Sequence, residues 1–252
     1  MWSKSYSFGG TVFKINSPEE ILETEYTEPF LCEGEAESDF VINAVYSDEN
    51  CKSGYSSAEL FGDKANVYFA EKYRGKISAK NALEKSEIFR MLAKRGGVVL
   101  HSSYVLTKQG DAVLFSAPSG TGKSTQAKLW EEFAGAETIN GDRALVAADG
   151  DKITANGILF CGTSGICKNK TAPLKAIVLL RQSDRNELHI ASGKEAFMRL
   201  LPQCSYYPEE AESLRLTTEI LARVISAVTV YDFGCVPDKS AVDALNEVLY
   251  GK

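Results

Sequence analysis

The chain has 252 residues, 44% of them hydrophobic and 25% charged, with 34 acids against 28 bases for a formal charge of −6. Those fractions belong to a globular chain with interior enough for one or two domains. The acidic balance argues against a nucleic-acid binder or a membrane-surface protein, a local basic face aside, and the longest plain apolar run, Ala176–Leu180, is far short of a membrane span.

Met1–Tyr6 lacks the apolar core of a secretory leader, so a cytoplasmic location is expected. The cysteines, Cys32, Cys51, Cys161, Cys167, Cys204 and Cys235, form no C-x-x-C pair, and His101 and His189 are the two histidines. Structural zinc asks for tighter spacing, so reduced, buried thiols are expected.

Residues 1–95 read as a β-rich region ending in a helix. Phe8, Val12, Phe13 and Ile15 sit among turn-formers, and Phe40–Tyr46 and Ala65–Ala70 are rich in β-branched and aromatic residues. Residues 18–39 carry nine acids and no Lys or Arg, whereas residues 62–95 carry nine Lys or Arg against four acids. Two solvated surfaces that neutralise each other are favoured over a face for a charged partner. Asn81–Glu84 resembles a capping box opening one helix to about Arg95, with Leu83, Ile88, Met91 and Leu92 inward and Gly96-Gly97 as its stop.

From residue 96 to 252 strands and helices alternate. Val98–Leu106 and Ala112–Ser116 flank a turn at Lys108–Asp111. Further strands are expected at Glu137–Asn140, Ala144–Ala147, Ile158–Cys161, Ala176–Leu180 and Val228–Phe233. Helices are expected at about 193–201, 208–226 and 239–249. In the second of these, Pro208 opens the first turn, and Leu214, Leu221, Val224 and Ile225 share a face. Arg181, Arg185 and Asn186 read as part of a hairpin turn over Gln182–Asn186.

Residues 117–125 read Ala-Pro-Ser-Gly-Thr-Gly-Lys-Ser-Thr, a phosphate-binding loop with Ala117 where the first glycine usually stands. The apolar strand Val113–Phe115 runs in. A helix leaves, with Ala127, Trp130, Phe133 and Ala134 on one face and Gly135 as stop. Gly120 and Gly122 let Ser119, Thr121 and their neighbours curl with N–H groups turned toward an anion. Pro118 has no N–H to give. The helix starting near Lys123 adds the positive end of its dipole. Lys123 can reach β- and γ-phosphate oxygens, the Ser124 hydroxyl can ligate Mg²⁺, and Thr125 completes the segment. Asp142, nineteen residues after Lys123, follows the strand that comes next and is the candidate metal ligand or base. His101 either approaches the γ-phosphate or is a packed core histidine. The glycine-rich Cys161–Lys170 stretch either brings Lys168 or Lys170 to the transferring phosphate or is a solvated loop at a sheet edge. A Cys161–Cys167 redox pair is a weaker alternative.

His101, the Lys108–Asp111 turn, Ser119-Gly120-Thr121-Gly122-Lys123-Ser124 and Asn140-Gly141-Asp142-Arg143 resemble, in order and spacing, the catalytic domain of HPr kinase/phosphorylase and its phosphoenolpyruvate carboxykinase-like relatives. The resemblance spans roughly residues 96–250. It implies an α/β fold with a phosphate loop on a mixed sheet, and Mg²⁺-dependent phosphoryl transfer from ATP. It also implies that Lys123 and Ser124 hold phosphate and metal, that Asp142 is metal ligand or base, and that His101 lines the site. Those relatives have two adjacent aspartates where this chain has Gly141-Asp142. Counterparts of the carboxykinase's oxaloacetate and metal-histidine segments are not evident, which disfavours carboxykinase activity. The first 80 residues do not look like the N-terminal domain of HPr kinase, which argues against HPr itself as acceptor.

The expected function is an ATP- and Mg²⁺-dependent kinase acting on a hydroxyl, such as a serine of a protein or peptide. The alternatives are a non-catalytic ATP-binding switch that holds a partner, and a small-molecule kinase. No nucleic-acid or membrane partner is expected, and a homo-oligomer is left open.

Overall fold

The computed structural model describes residues 1–34 and 36–251. Contacts divide the chain into two units, Met1–Arg95 and Gly96–Lys252.

In the first unit, period-two alternation writes a mixed sheet. Its strands are β1 (Trp2–Phe8), β2 (Thr11–Ser17), β3 (Phe40–Tyr46), β4 (Ser56–Phe61) and β5 (Lys64–Phe69), in the order β1-β2-β3-β5-β4. The β1–β2 and β4–β5 pairs are antiparallel, and β2–β3 and β3–β5 are parallel. Phe13, Ile15, Phe40, Ile42, Val67 and Phe69 fill one face. Phe8 stacks on Phe13 at 4.9 Å and Phe13 on Phe40 at 5.6 Å. The other face carries a row of amides in register. Ser3 donates to Asn16, Asn16 to Asn43, and Asn43 to Asn66, at 2.9, 3.2 and 3.0 Å. The acidic and basic stretches of this unit meet in the ion pairs Glu19–Arg74 and Asp39–Arg95.

The single helix expected over 81–95 is two. Ser78, not Asn81, is the N-cap of α1 (Ala79–Glu84), with Asn81 as the reciprocal partner of its capping box. Glu87 adopts a left-handed φ of 58°, which breaks the helix before α2 (Ile88–Lys94). Leu83, Ile88, Met91 and Leu92 are all buried.

The second unit is built on the long β6 (Gly97–Leu106). Its further strands are β7 (Ala112–Ser116), β8 (Glu137–Asn140), β9 (Arg143–Asp149), β10 (Lys152–Asn156), β11 (Thr171–Gln182), β12 (Glu187–Ile190), β13 (Cys204–Ser205) and β14 (Thr229–Cys235). The order is β10-β9-β6-β7-β11-β14-β12, with β8 and β13 also on β6. Strands β7, β11 and β14 are parallel; the other pairings are antiparallel. The first residues of β11 pair with β10 and its middle with β7. The helices are α3 (Lys123–Leu129), α4 (Gly193–Leu200), α5 (Ala211–Ala227) and α6 (Lys239–Tyr250). The fold is therefore mixed α/β, with two mixed sheets. Among the described residues no helix is long and apolar enough to cross a membrane.

Four local expectations need correction. Ile158–Cys161 is buried but not a strand; the strand lies earlier, at β10. Gln182–Asn186 does not close a hairpin, because β12 pairs with β14 rather than β11. Helix α5 begins after Pro208, and Leu214 is exposed; Thr217, Ile220, Leu221 and Val224 form its buried stripe. Helix α3 passes into a π-helical turn, Trp130–Ala134, which leaves Phe133 exposed while Trp130 and Ala127 are buried. Gly135, at a left-handed φ of 62°, ends it as expected.

Candidate functional site

Buried apolar residues on β7 (Val113 and Phe115) and β11 (Val178 and Leu180) pack with Ala127 and Trp130 below the turn and with Val242 and Leu245 of α6. That core holds the Ala117–Gly122 turn at the carboxyl end of β7. Gly120 and Gly122 take φ values of 80° and 112°, a backbone that side-chain-bearing residues rarely adopt. The turn borders a cavity of about 580 Å³. Ser119, Gly120, Gly122, Lys123, Ser124 and Thr125 line one wall; His101, Asp142, Thr163 and Ser164 line the other. Thr121 is placed differently: it lines a neighbouring crevice on the far side of the turn, to which Gly122 and Thr125 also contribute.

Lys123 is buried, and its Nζ donates to the carbonyls of Ala117 and Pro118 at 2.8 and 3.2 Å. Burial pulls its ammonium below the ordinary lysine value, while the charge of Asp142 works the other way.

Asp142 lies in the tight connection between β8 and β9. The fully buried Asn140 builds that connection: its Oδ1 accepts from the N–H groups of Asp142 and Arg143, each at 2.9 Å. Its Nδ2 donates to the Ile158 carbonyl at 2.8 Å. The backbone carbonyl of Asp142 accepts from Ser102 N–H at 2.9 Å, which ties the turn to β6. His101 Nε2 stands 3.4 Å from one carboxylate oxygen and Arg143 Nε 3.4 Å from the other. The contact with His101 holds the carboxyl below the usual range against desolvation, helped by the charges of Arg143 and Lys123. His101 is half-buried, and its Nδ1 lies 3.3 Å from Gln203 Oε1. Strand β6 thus carries the histidine on the cavity wall.

The Cys161–Lys170 stretch is split in its role. Its 3-10 turn, Gly162–Ser164, packs on Asp142 so closely that a β-carbon at Gly162 would collide with the carboxylate. Lys168 and Lys170 are drawn away, to Glu137 at 2.9 and 2.7 Å. Cys161 and Cys167 are both buried, and no disulfide joins them.

Sequence reading missed Gln203, Thr163, Ser164 and Glu131 as neighbours of this cavity. Glu131 lines it and accepts from Thr138 N–H at 3.0 Å. Only the Asn140-x-Asp142 spacing carried a local signal, since asparagine commonly bonds the backbone two residues on.

No protein-family description matches the chain, and no curated protein does. Among solved structures it is similar to the Hpr(Ser) kinase/phosphatase from Coxiella burnetii, at 11% identity over 60% of this chain and 87% of that chain, with a TM-score of 0.31. This is a distant likeness at the level of fold.

Proposed function

We propose that the chain is an ATP-dependent kinase that moves the γ-phosphoryl group to a hydroxyl, such as a serine of a protein or peptide. One observation carries the reading: Lys123 and Ser124 of the glycine turn share one cavity with the Asp142–His101 pair. Phosphoryl transfer asks mainly for positioning and charge, and that cavity supplies both.

The Ser119–Thr125 turn is read as the phosphate cradle. Its left-handed glycines permit inward N–H groups, and Lys123 adds a cation at the point where negative charge spreads over the transferring oxygens. The Ser124 hydroxyl and the Asp142 carboxylate are hard oxygen donors on the same cavity, a donor set that suits Mg²⁺. Such an ion, when bound, neutralises charge on the phosphate oxygens.

In the transfer step the acceptor oxygen forms its bond to the γ-phosphorus as the bond to the β,γ-bridging oxygen breaks, and the diphosphate departs. Asp142 takes the acceptor's proton. Its depressed proton affinity suits a loose transition state, in which that proton moves late. His101 and Arg143 fix the carboxylate, and Gln203 sets the imidazole from behind. Glu131 is a second acid on this cavity, one oxygen of which accepts from Thr138 N–H.

The test is label transfer from γ-labelled ATP with Mg²⁺ into a cell extract. Label in the macromolecular fraction supports the protein kinase, and label in the low-mass fraction supports a small-molecule kinase. Tight ATP binding without transfer by the wild-type chain leaves a nucleotide-gated binding module.

A further inference from the structure

The crevice on the far side of the glycine turn takes no part in the transfer chemistry described above. It encloses about 320 Å³ between the turn, the end of β11 with the next residue, Leu180–Ser183, and the end of β14 with the two residues after it, Cys235–Pro237. That volume falls in the range of small-ligand clefts.

Its place in the fold is distinctive. After β7 the chain leaves through α3 toward β8, which pairs with β6 on one side of β7. After β11 it goes to β12 and β14, on the opposite side. The direction of winding therefore reverses between β7 and β11. In open α/β sheets such a reversal leaves a ligand crevice at the carboxyl ends of the parallel strands. Gly122 and Thr125 line this crevice and the 580 Å³ cavity alike, so one ligand can run across the turn from one to the other. Gln182 Nε2, 3.4 Å from the Gly120 carbonyl, ties the lip of the crevice to the turn.

Two side chains in this crevice point to an occupant. Gln126, on α3, is 2% exposed. Its Nε2 lies 3.2 Å from Cys235 Sγ, while its buried Oε1 has no hydrogen-bond partner among the described residues. Turning the amide over merely exchanges which polar end is orphaned, and an orphaned buried polar end is costly. Arg181 is held at Nε by Asp232, at 3.1 Å, and at NH2 by Glu187, at 2.9 Å. Its guanidinium lies against Gly234 of β14, where any β-carbon would collide with it. A fixed, planar, delocalised cation at the edge of a crevice is a surface on which an aromatic ring can stack.

We propose that this crevice seats the nucleoside half of a nucleoside triphosphate. The free end of the Gln126 amide bonds the sugar or base, and Arg181 faces the ring. The terminal phosphate then lies across the turn, beside Asp142. This assignment rests on the phosphate-binding reading of the turn.

Calorimetry with MgATP and with magnesium tripolyphosphate separates the two. The wild-type chain binds ATP at least about tenfold more tightly than tripolyphosphate. Gln126→Leu removes the amide, and Pro237→Trp crowds the mouth at an exposed position. Each weakens ATP by about five- to tenfold and leaves tripolyphosphate unchanged. If Gln126→Leu does not fold, Pro237→Trp still decides. So does alkylation of Cys235 in the wild-type chain, mapped by mass spectrometry, which ATP slows and tripolyphosphate does not. Equal affinity for the two ligands, or equal weakening of both by the variants, overturns the nucleoside seat alone. No heat from either ligand overturns the phosphate-binding reading, and the seat falls with it.

Discussion

The two units bury different things. Among the described residues the first hides four polar side chains, Thr11, Ser17, Thr27 and Ser86, none of them charged. The second hides twelve, including Lys123, Gln126, Asn140 and Asp232. In the first unit polarity is spread on the open face of the sheet, where the Asn16–Asn43–Asn66 row can meet water. In the second it is drawn inward, with Lys123, Gln126 and Asn140 near the glycine turn and others, such as Asn156, Ser213 and Thr217, elsewhere in the unit. Burying polar groups costs free energy unless each is paired, so the second unit depends on buried hydrogen bonds such as those of Asn140 more than the first does.

The sharpest way to break this contrast is Lys123→Ala. On the proposed kinase reading, phosphoryl transfer then falls by about 10³-fold or more, because the turn loses its cation where charge develops. Single-turnover kinetics with labelled ATP measure it. Asp142→Asn comes next. Transfer drops about 10²- to 10⁴-fold while ATP still binds in calorimetry. Wild-type transfer rates in that variant would remove Asp142 from the mechanism.

Phe13→Ala moves the effect to the first unit. It empties a position stacked between Phe8 and Phe40 and destabilises that unit by about 3–5 kcal/mol, read as an earlier transition in denaturant. Asn43→Ala cuts the amide row in its middle and costs about 1 kcal/mol, with transfer unchanged. An effect of Asn43→Ala on transfer would mean that the division of labour between units is wrong.

The smallest effect is the pH dependence of stability. The Asp142 carboxyl is held below its ordinary value in the folded chain. Its stabilising share is therefore present above the unfolded aspartate value and is lost as pH falls through the lower folded one. Asp142→Asn is less stable than wild type at neutral pH, and the two converge on acidification. Urea midpoints across that range check the sign.

Much of the second unit was legible because its signals are local. Gly120 and Gly122 announce a left-handed turn, Val113–Phe115 an apolar strand, and Gly135 a helix stop. The break at Glu87 was not legible, since a non-glycine residue at positive φ has no local signature. Nor was the fate of Lys168 and Lys170, whose partner Glu137 lies some thirty residues away. The missed hairpin at Gln182–Asn186 has the same origin: turn chemistry says that the chain bends, not which strand it bends toward.

From residue types and spacing alone came the alternation of the first sheet, the glycine turn between strand and helix, and Asp142 as the acid that follows the next strand in the chain. Tertiary structure alone decided that His101 and Arg143 grip opposite oxygens of that acid, that Gln203 stands behind the histidine, and that winding reverses between β7 and β11. The reason is physical. Backbone conformation and periodicity are set by neighbours within a few residues, whereas strand order and side-chain convergence depend on which distant segments pack together.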